Sequence, residues 1–249
     1  MSYSLSDKPC VSILVLSEDS AKTASDTLGQ LAKKAARLVD KQCQTQCIVP
    51  EPASENSKAI LAGNLWKSSQ PKHRQQRVTL VQSIATKIKE PDGYVLFHID
   101  GDRAWAKKST SENVDKFDKL IRRPVKEYLR TKLAGDKADE LIKRLVLWVP
   151  FYSIEAWLYQ NTGVAIPLCK EHHRGTDVAK FETWRKDRGL LDELTGTKLK
   201  SCLGSDFNLE LTQGFPTKEV YEVGKSFSEA VDSFRDCSEL MKSLSATHQ

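Results

Sequence analysis

The chain has 249 residues, of which 39% are hydrophobic, so it can bury a full core as one large domain or as a domain with an appendage. Its 38 Lys and Arg against 33 Asp and Glu give a net charge of +5, which permits a polyanionic partner without requiring one. No apolar run approaches the roughly 18 residues of a membrane-spanning helix, and the polar start is not a secretory signal. We therefore expect a cytoplasmic protein with no membrane contact.

The first predicted elements are a strand, a short acidic turn and a helix. Residues 11–16 are apolar and rich in β-formers, and Glu18 follows them almost at once. Leu and Ala then recur at helical spacing from about residue 21 to residue 39. Glu18 therefore lies where a strand passes into a helix.

Weaker patterns fill the next part of the chain. They predict a short strand over residues 44–49 and two helices, near residues 59–68 and 77–89. The basic run of residues 72–77 separates the two helices.

The clearest predicted strand covers residues 94–99, and acidic residues follow its end. Asp100 and Asp102 follow it, separated by Gly101, which permits a tight turn. Unpaired carboxylates at the end of a buried strand are costly, and a divalent cation would remove that cost. The alternative is a solvated turn in which Asp100 caps the segment that follows, and D-x-D alone does not decide between the two.

Further along, the pattern predicts a long helix over about residues 112–133, which Pro124 would start, kink or interrupt. Residues 145–149 read as another buried strand. Beyond it, Ser153 is a plausible N-cap with Glu155 in the first helical turn.

The last third of the chain changes character. The sequence predicts a loop through residues 161–175, short helical pieces over residues 177–188 and 190–203, and a final amphipathic helix from about residue 217 to residue 244. We therefore divide the chain into an α/β domain over residues 1–160 and a helical C-terminal extension over residues 161–249, packed on it.

Alternating strands and helices predict an α/β fold with a largely parallel sheet flanked by helices. Ligand crevices of such sheets form at the carboxyl ends of the strands. Four carboxylates follow predicted strand ends, and neighbouring strands would bring them into one pocket: Glu18, Asp100, Asp102 and Glu155. Carboxylate oxygens are ligands for Mg²⁺ or Mn²⁺. For Glu18 and Glu155, simple stabilisation of a helix N-terminus is the alternative.

A strand ending in Glu18, followed by a strand ending in Asp100-Gly101-Asp102, resembles the TOPRIM domain of topoisomerases, primases and related nucleases. The segment over residues 149–158 further resembles small bacterial TOPRIM-like proteins, often encoded beside ABC-type ATPases in phage-defence loci. In TOPRIM domains the glutamate is usually followed by glycine, where this chain has Asp19.

The resemblance implies a TOPRIM-like Rossmannoid domain and Mg²⁺- or Mn²⁺-dependent cleavage of DNA or RNA. Glu18, Asp100 and Asp102 would be the metal ligands, and Glu155 a fourth catalytic carboxylate. It also implies a phage-defence role with an ABC-type ATPase partner. The chain has no phosphate loop of its own, so any ATP-driven step would need a partner.

Cations for the substrate phosphates are present in the sequence. Arg103, Lys107 and Lys108 follow Asp102 directly, and residues 72–77 and 122–123 could extend a backbone track. Alternatively, each of these basic clusters is simply a solvated part of the protein surface that binds no substrate.

Two other functions and one open question remain at this level. A nucleotide-sugar transferase also uses a D-x-D after a strand, although it leaves Glu18 unexplained. A TOPRIM-fold binding module would keep the fold without catalysis. The amphipathic C-terminal helix packs on its own domain or on another copy of the chain, so a homo-oligomer stays open.

Overall fold

The computed structural model describes residues 11–19, 21–101, 111–194 and 196–245. These residues form an α/β fold whose four-stranded parallel sheet has the order β2-β1-β3-β4. The strands are β1 (Val11–Ser17), β2 (Ile48–Pro52), β3 (Gly93–His98) and β4 (Leu145–Trp148). The predicted class, a parallel sheet flanked by helices, is confirmed. No helix of the described residues has the length and apolar character to cross a membrane.

Helices account for most of the rest of the described chain. In order they are α1 (Ala24–Val39), α2 (Glu55–Ala62), α3 (Pro71–Lys89), α4 (Glu112–Phe117), α5 (Arg123–Arg130), α6 (Gly135–Leu141), α7 (Glu155–Leu158), α8 (Thr162–His173), α9 (Val178–Lys186), α10 (Gly196–Leu199), α11 (Asn208–Leu211), α12 (Thr217–Val223), α13 (Ser226–Asp236) and α14 (Ser238–Ser245). A π-helical turn, Asp118–Arg122, joins α4 to α5, and several short 3-10 turns link the other elements.

The strands divide the interior into two cores because successive side chains point to opposite faces of the sheet. In β3, Tyr94 and Leu96 belong to the first core, whereas Val95 and Phe97 belong to the second. Every residue of β3 is buried, as expected of a parallel strand that is covered on both faces.

The first core joins the sheet to the C-terminal helices. Trp148 of β4 packs against Phe234 of α13, with ring centroids 5.2 Å apart, and edge-on against Trp157 at 5.8 Å. Buried residues of α1, α8, α9 and α11–α14 lie in the same cluster. Residues beyond position 160 thus complete the core over one sheet face, and the predicted boundary at that position stays a prediction.

The second core lies under α2, α3, α5 and the π-helical turn. Phe97 of β3 sits between Trp66 and Phe117, at centroid distances of 5.7 and 4.9 Å. Trp66 follows α2 in a short 3-10 turn and is fully buried.

Several local predictions are wrong, each for a physical reason. Residues 162–173 form α8 instead of a loop, because Ala165, Ile166 and Cys169 are buried on one helix face. Pro167 lies on the exposed side of that helix, where water can bond to the carbonyl that lacks an N–H partner. The basic run of residues 72–77 begins α3 instead of preceding it.

Two long predicted helices are interrupted. The stretch over residues 112–133 contains the π-helical turn directly before Pro124, whose missing N–H disturbs the regular hydrogen-bond pattern. The final helix is broken into three, because Gly224 and Lys225 take positive φ values of 81° and 71° between α12 and α13. Cys237 then separates α13 from α14.

Replacing Phe234 should reveal how strongly α13 is coupled to the sheet. We expect Phe234→Ala to lower the free energy of unfolding by about 3–5 kcal/mol, because it opens a cavity beside Trp148. Val78→Ala, at a side chain that is 39% exposed, is the control and should change it by less than about 1 kcal/mol. Urea unfolding followed by tryptophan fluorescence measures both, and a near-neutral Phe234→Ala would contradict the shared core.

Candidate functional site

The candidate site lies at the carboxyl edge of the sheet, where β1, β3 and β4 end level with one another. The register pairs Ser17 with His98 and His98 with Trp148. From β1 the chain continues to β2 on one side, whereas β3 and β4 lie on the other side. Such a change of direction in strand order opens a crevice at the carboxyl edge of a parallel sheet.

Glu18 is anchored at this edge by three donors. Its Oε1 accepts a hydrogen bond from Trp66 Nε1 at 2.9 Å and an ion pair from Lys67 Nζ at 2.6 Å. Its Oε2 accepts the backbone N–H of Asp100 at 3.1 Å. The Glu18 side chain is only 5% exposed, and these partners compensate its burial.

Asp100 is fixed through its backbone and leaves its carboxyl facing the crevice. Its N–H bonds to Glu18, and its carbonyl accepts a hydrogen bond from Asn113 Nδ2 at 3.0 Å. The side chain is 46% exposed, which leaves it open to a ligand. Packed protein around the crevice, followed by the charges of Glu18, Glu155 and Asp19, raises the pKa of Asp100 to about 8.

Glu155 and Asp19 complete the acidic cluster. Burial and then the charge of Glu155 raise the pKa of Asp19, whose Oδ1 accepts the N–H of Ala21 at 2.9 Å. Glu155 begins α7, and its Oε1 accepts a hydrogen bond from Asn208 Nδ2 at 2.9 Å. Ser153 is not the N-cap that the sequence predicts. Its hydroxyl donates to the Glu155 carboxylate, and the cap position is one residue later.

His98 forms a neutral floor beneath Asp100. It is fully buried, its Nδ1 lies 2.9 Å from Ser17 Oγ, and burial lowers its pKa to about 3. The 3.9 Å between His98 Nε2 and Asp100 Oδ1 is too long for a hydrogen bond. A neutral imidazole supplies no charge to offset the carboxylates, so Lys67 is the cation in contact with the cluster among the described residues.

Gly101 is required by a close approach of two backbone segments. Its N–H bonds to the Pro150 carbonyl at 3.1 Å, which extends the pairing of β3 and β4 past their ends. A Cβ at this position would lie 2.4 Å from Pro150 O and 2.6 Å from Phe151 O. The glycine therefore holds Asp100 against the segment that leads to Glu155.

Sequence reasoning missed the residues that anchor the carboxylates. Trp66 and Lys67 come from the turn after α2, and Asn208 from the C-terminal helices. No local motif marks any of them. Arg77, predicted as part of a phosphate track, instead donates to the carbonyls of Trp66 and Ser68 and thereby holds the Trp66 turn in place.

The structure therefore brings together three of the four predicted carboxylates: Glu18, Asp100 and Glu155. Asp102, together with Arg103, Lys107 and Lys108, lies outside the described residues, so their predicted roles stay predictions. Within residues 11–19, 21–101, 111–194 and 196–245, no three His, Cys, Asp or Glu side chains are arranged to hold a metal ion. The donor chemistry nevertheless fits a hard cation, since carboxyl groups of Glu18, Asp100 and Glu155 meet at one edge and supply oxygen ligands.

Comparisons with protein-family models, with curated proteins and with solved structures found no match to this chain. The interpretation of the site therefore depends on its own residues and contacts.

The titration of Asp100 should make stability depend on pH. Folded Asp100 keeps its proton up to about pH 8, whereas an unfolded Asp loses it near pH 3.9, so the free energy of unfolding should fall as the pH rises between these values. Asp100→Asn should remove this decrease and be more stable than wild type near pH 8, by on the order of 1 kcal/mol because half-exposed charges are screened.

Urea unfolding in EDTA near pH 5 and near pH 8 measures this effect. Asp136→Asn, at an exposed position of α6, is the matched control and should keep the wild-type pH dependence. Identical pH dependence in wild type and Asp100→Asn would contradict the assignment.

Adding one methyl group at Gly101 should disturb the edge. We expect Gly101→Ala to lower the free energy of unfolding by about 1–3 kcal/mol, because the backbone carbonyls that it meets cannot move independently of the sheet. Gly135→Ala adds the same group where no atom lies within 4 Å and should stay within about 0.5 kcal/mol of wild type. Equal stability of the two variants in urea unfolding would refute the close-approach argument.

Proposed function

We propose that this protein is a metal-dependent nuclease that hydrolyses nucleic-acid phosphodiesters at the carboxyl edge of its sheet. One observation carries the proposal. Asp100 lies with Glu18 and Glu155 at one edge of the sheet, its side chain is half-exposed, and burial followed by the charges of these carboxylates raises its pKa to about 8. A metal cation can replace the proton that Asp100 holds and can be bound by the neighbouring carboxylates, and such perturbed groups are concentrated at functional sites.

Asp100 and Glu18 would hold the ion, with Asp102 added by the TOPRIM resemblance. A Mg²⁺ or Mn²⁺ ion would polarise the scissile phosphate and lower the pKa of a bound water. Glu18 fixes the backbone of Asp100 through their 3.1 Å hydrogen bond, so the two ligands keep their relative position. Glu155 faces the same crevice and could accept a proton from the attacking water.

Lys67 has a defined part in this proposal. Its ammonium contacts Glu18 Oε1 at 2.6 Å, and its side chain is 15% exposed. A cation bound at Asp100 would compete with Lys67 for Glu18. A Lys67 ammonium released from Glu18 would be available to neutralise part of the charge of a substrate phosphate.

The assignment to the TOPRIM-like nucleases is part of the proposal. Carboxylates directly after β1 and β3, which are adjacent parallel strands, support it. That assignment makes DNA or RNA the substrate, with its phosphates contacted by Arg103, Lys107 and Lys108. It also gives the protein an ABC-type ATPase partner and a role as a phage-defence effector. Assembly into a homo-oligomer is a further part of this proposal.

A catalytically silent binding module is the second candidate, and one observation favours it. Both carboxylate oxygens of Glu18 already accept bonds from protein groups, namely Trp66, Lys67 and the Asp100 backbone. In this case Lys67 would permanently occupy the place of a cation, and the cluster would only shape a docking surface.

Cleavage assays separate the two candidates. We expect the purified protein to cut labelled plasmid DNA or total tRNA with Mg²⁺ or Mn²⁺ but not in EDTA. Asp100→Asn and Glu18→Gln should each lower the rate by at least about 100-fold, because a lost ligand costs no less than a lost outer-shell partner.

Asp136→Asn is the control and should cleave like wild type, and the melting temperature shows whether each variant is folded. Full activity in both site variants would refute the assignment. Absence of cleavage by folded wild type, alone and with its co-purifying proteins, would favour the silent module.

A further inference from the structure

A cavity of about 630 Å³ opens beside the carboxylate edge. It lies where β1 and β2 end, between the start of α1 and the outer side of α2. Val15, Pro52 and Ala53 form an apolar floor, and Ala59 and Ala62 of α2 form one wall. Its volume is within the range of about 300–1,000 Å³ that is typical of small-molecule sites in proteins.

This cavity adjoins the candidate site through two shared residues. Ser17 and Asp19 line it, and both also belong to the edge, since Ser17 contacts His98 and Asp19 follows Glu18. The Asp19 carboxyl is close enough to Asp100 for the two charges to repel. A ligand that filled the cavity would therefore end next to a phosphate held at Asp100.

The polar groups of the lining suit a nucleoside. Ser25 Oγ is buried without a hydrogen-bond partner among the described residues, so a polar group of a ligand would satisfy it, and the Asp19 carboxyl, which accepts the Ala21 N–H and interacts with Asn208, can accept a further donor. The apolar floor suits the face of a base. Lys22 is exposed in the lining, where it can meet a phosphate oxygen, whereas Lys58 pairs with Glu55 at 2.7 Å, and the acidic Asp26 also lines the cavity.

We propose that this cavity binds one unpaired nucleoside of the substrate strand, next to the phosphate held at the carboxylate edge. The proposal rests on the proposed nuclease function and specifies its substrate class as single-stranded or frayed nucleic acid. A base within a duplex is paired and stacked, so it enters such a cavity only after it is turned out of the helix, at a cost in free energy.

Filling the cavity tests the proposal without touching the carboxylates. Ala59→Phe places a ring into the cavity from an exposed position of α2. Ala179→Phe adds the same ring at an exposed position of α9, which does not line the cavity, and serves as the matched control. Melting temperatures of both variants should stay close to wild type.

Binding is measured by fluorescence anisotropy in EDTA, so that no cleavage occurs, with a labelled strand and the duplex of the same sequence. Wild type and Ala179→Phe should bind the strand at least about tenfold more tightly than the duplex, since a paired base must leave the helix before the cavity can hold it. Ala59→Phe should lose about tenfold in affinity for the strand and keep its affinity for the duplex. Equal affinities of wild type for strand and duplex, or an Ala59→Phe variant that binds like Ala179→Phe, would overturn the proposal.

The same proteins in the cleavage assay with Mg²⁺ keep this proposal distinct from the nuclease assignment. If Ala59→Phe cleaves like wild type and wild type cuts duplex as fast as single strands, the nuclease proposal holds and the nucleoside-binding proposal for the cavity is overturned. Loss of strand binding in Ala59→Phe, without cleavage by wild type, would support the cavity and overturn the nuclease.

Discussion

The hydrogen bond from the Asp100 backbone to Glu18 Oε2 joins the ends of β1 and β3, and the rest of the edge depends on it. It exists because parallel pairing places Ser17 opposite His98, so the residues that follow leave the sheet at one level. Trp66 and Lys67 hold the same carboxylate from the other side. The position of Asp100 is thus set by the sheet, by the second core and by the glycine after it.

Several carboxyl groups lie close together at this edge and repel one another when they are charged. Asp19, Asp100 and Glu155 repel one another at a partly buried edge, whereas His98 beneath them stays neutral because it is buried. Protein interiors tolerate such repulsion where a ligand relieves it. A cation is the simplest ligand of this kind, and the cavity on the β2 side of the edge offers space for the remainder of a phosphate-bearing substrate.

The C-terminal helices take part in the edge as well as in the core. Asn208 of α11 bonds to Glu155, and Trp157 of α7 packs edge-on against Phe227 of α13 at 5.4 Å. A partner or a second copy that shifted these helices would therefore move Glu155 relative to Asp100.

The sequence by itself determined the parallel α/β class and the places of β1, β3 and β4, because each strand is a short apolar run with a clear end. It also placed Glu18 and Asp100 at strand ends, since that follows from order along the chain alone. Only the tertiary structure decided that Trp66, Lys67 and Asn208 complete the site, because they come from segments whose local patterns carry no signal of the contact. The same holds for α8, which forms where the sequence predicts a loop, because burial of Ala165, Ile166 and Cys169 outweighs the unfavourable Pro167.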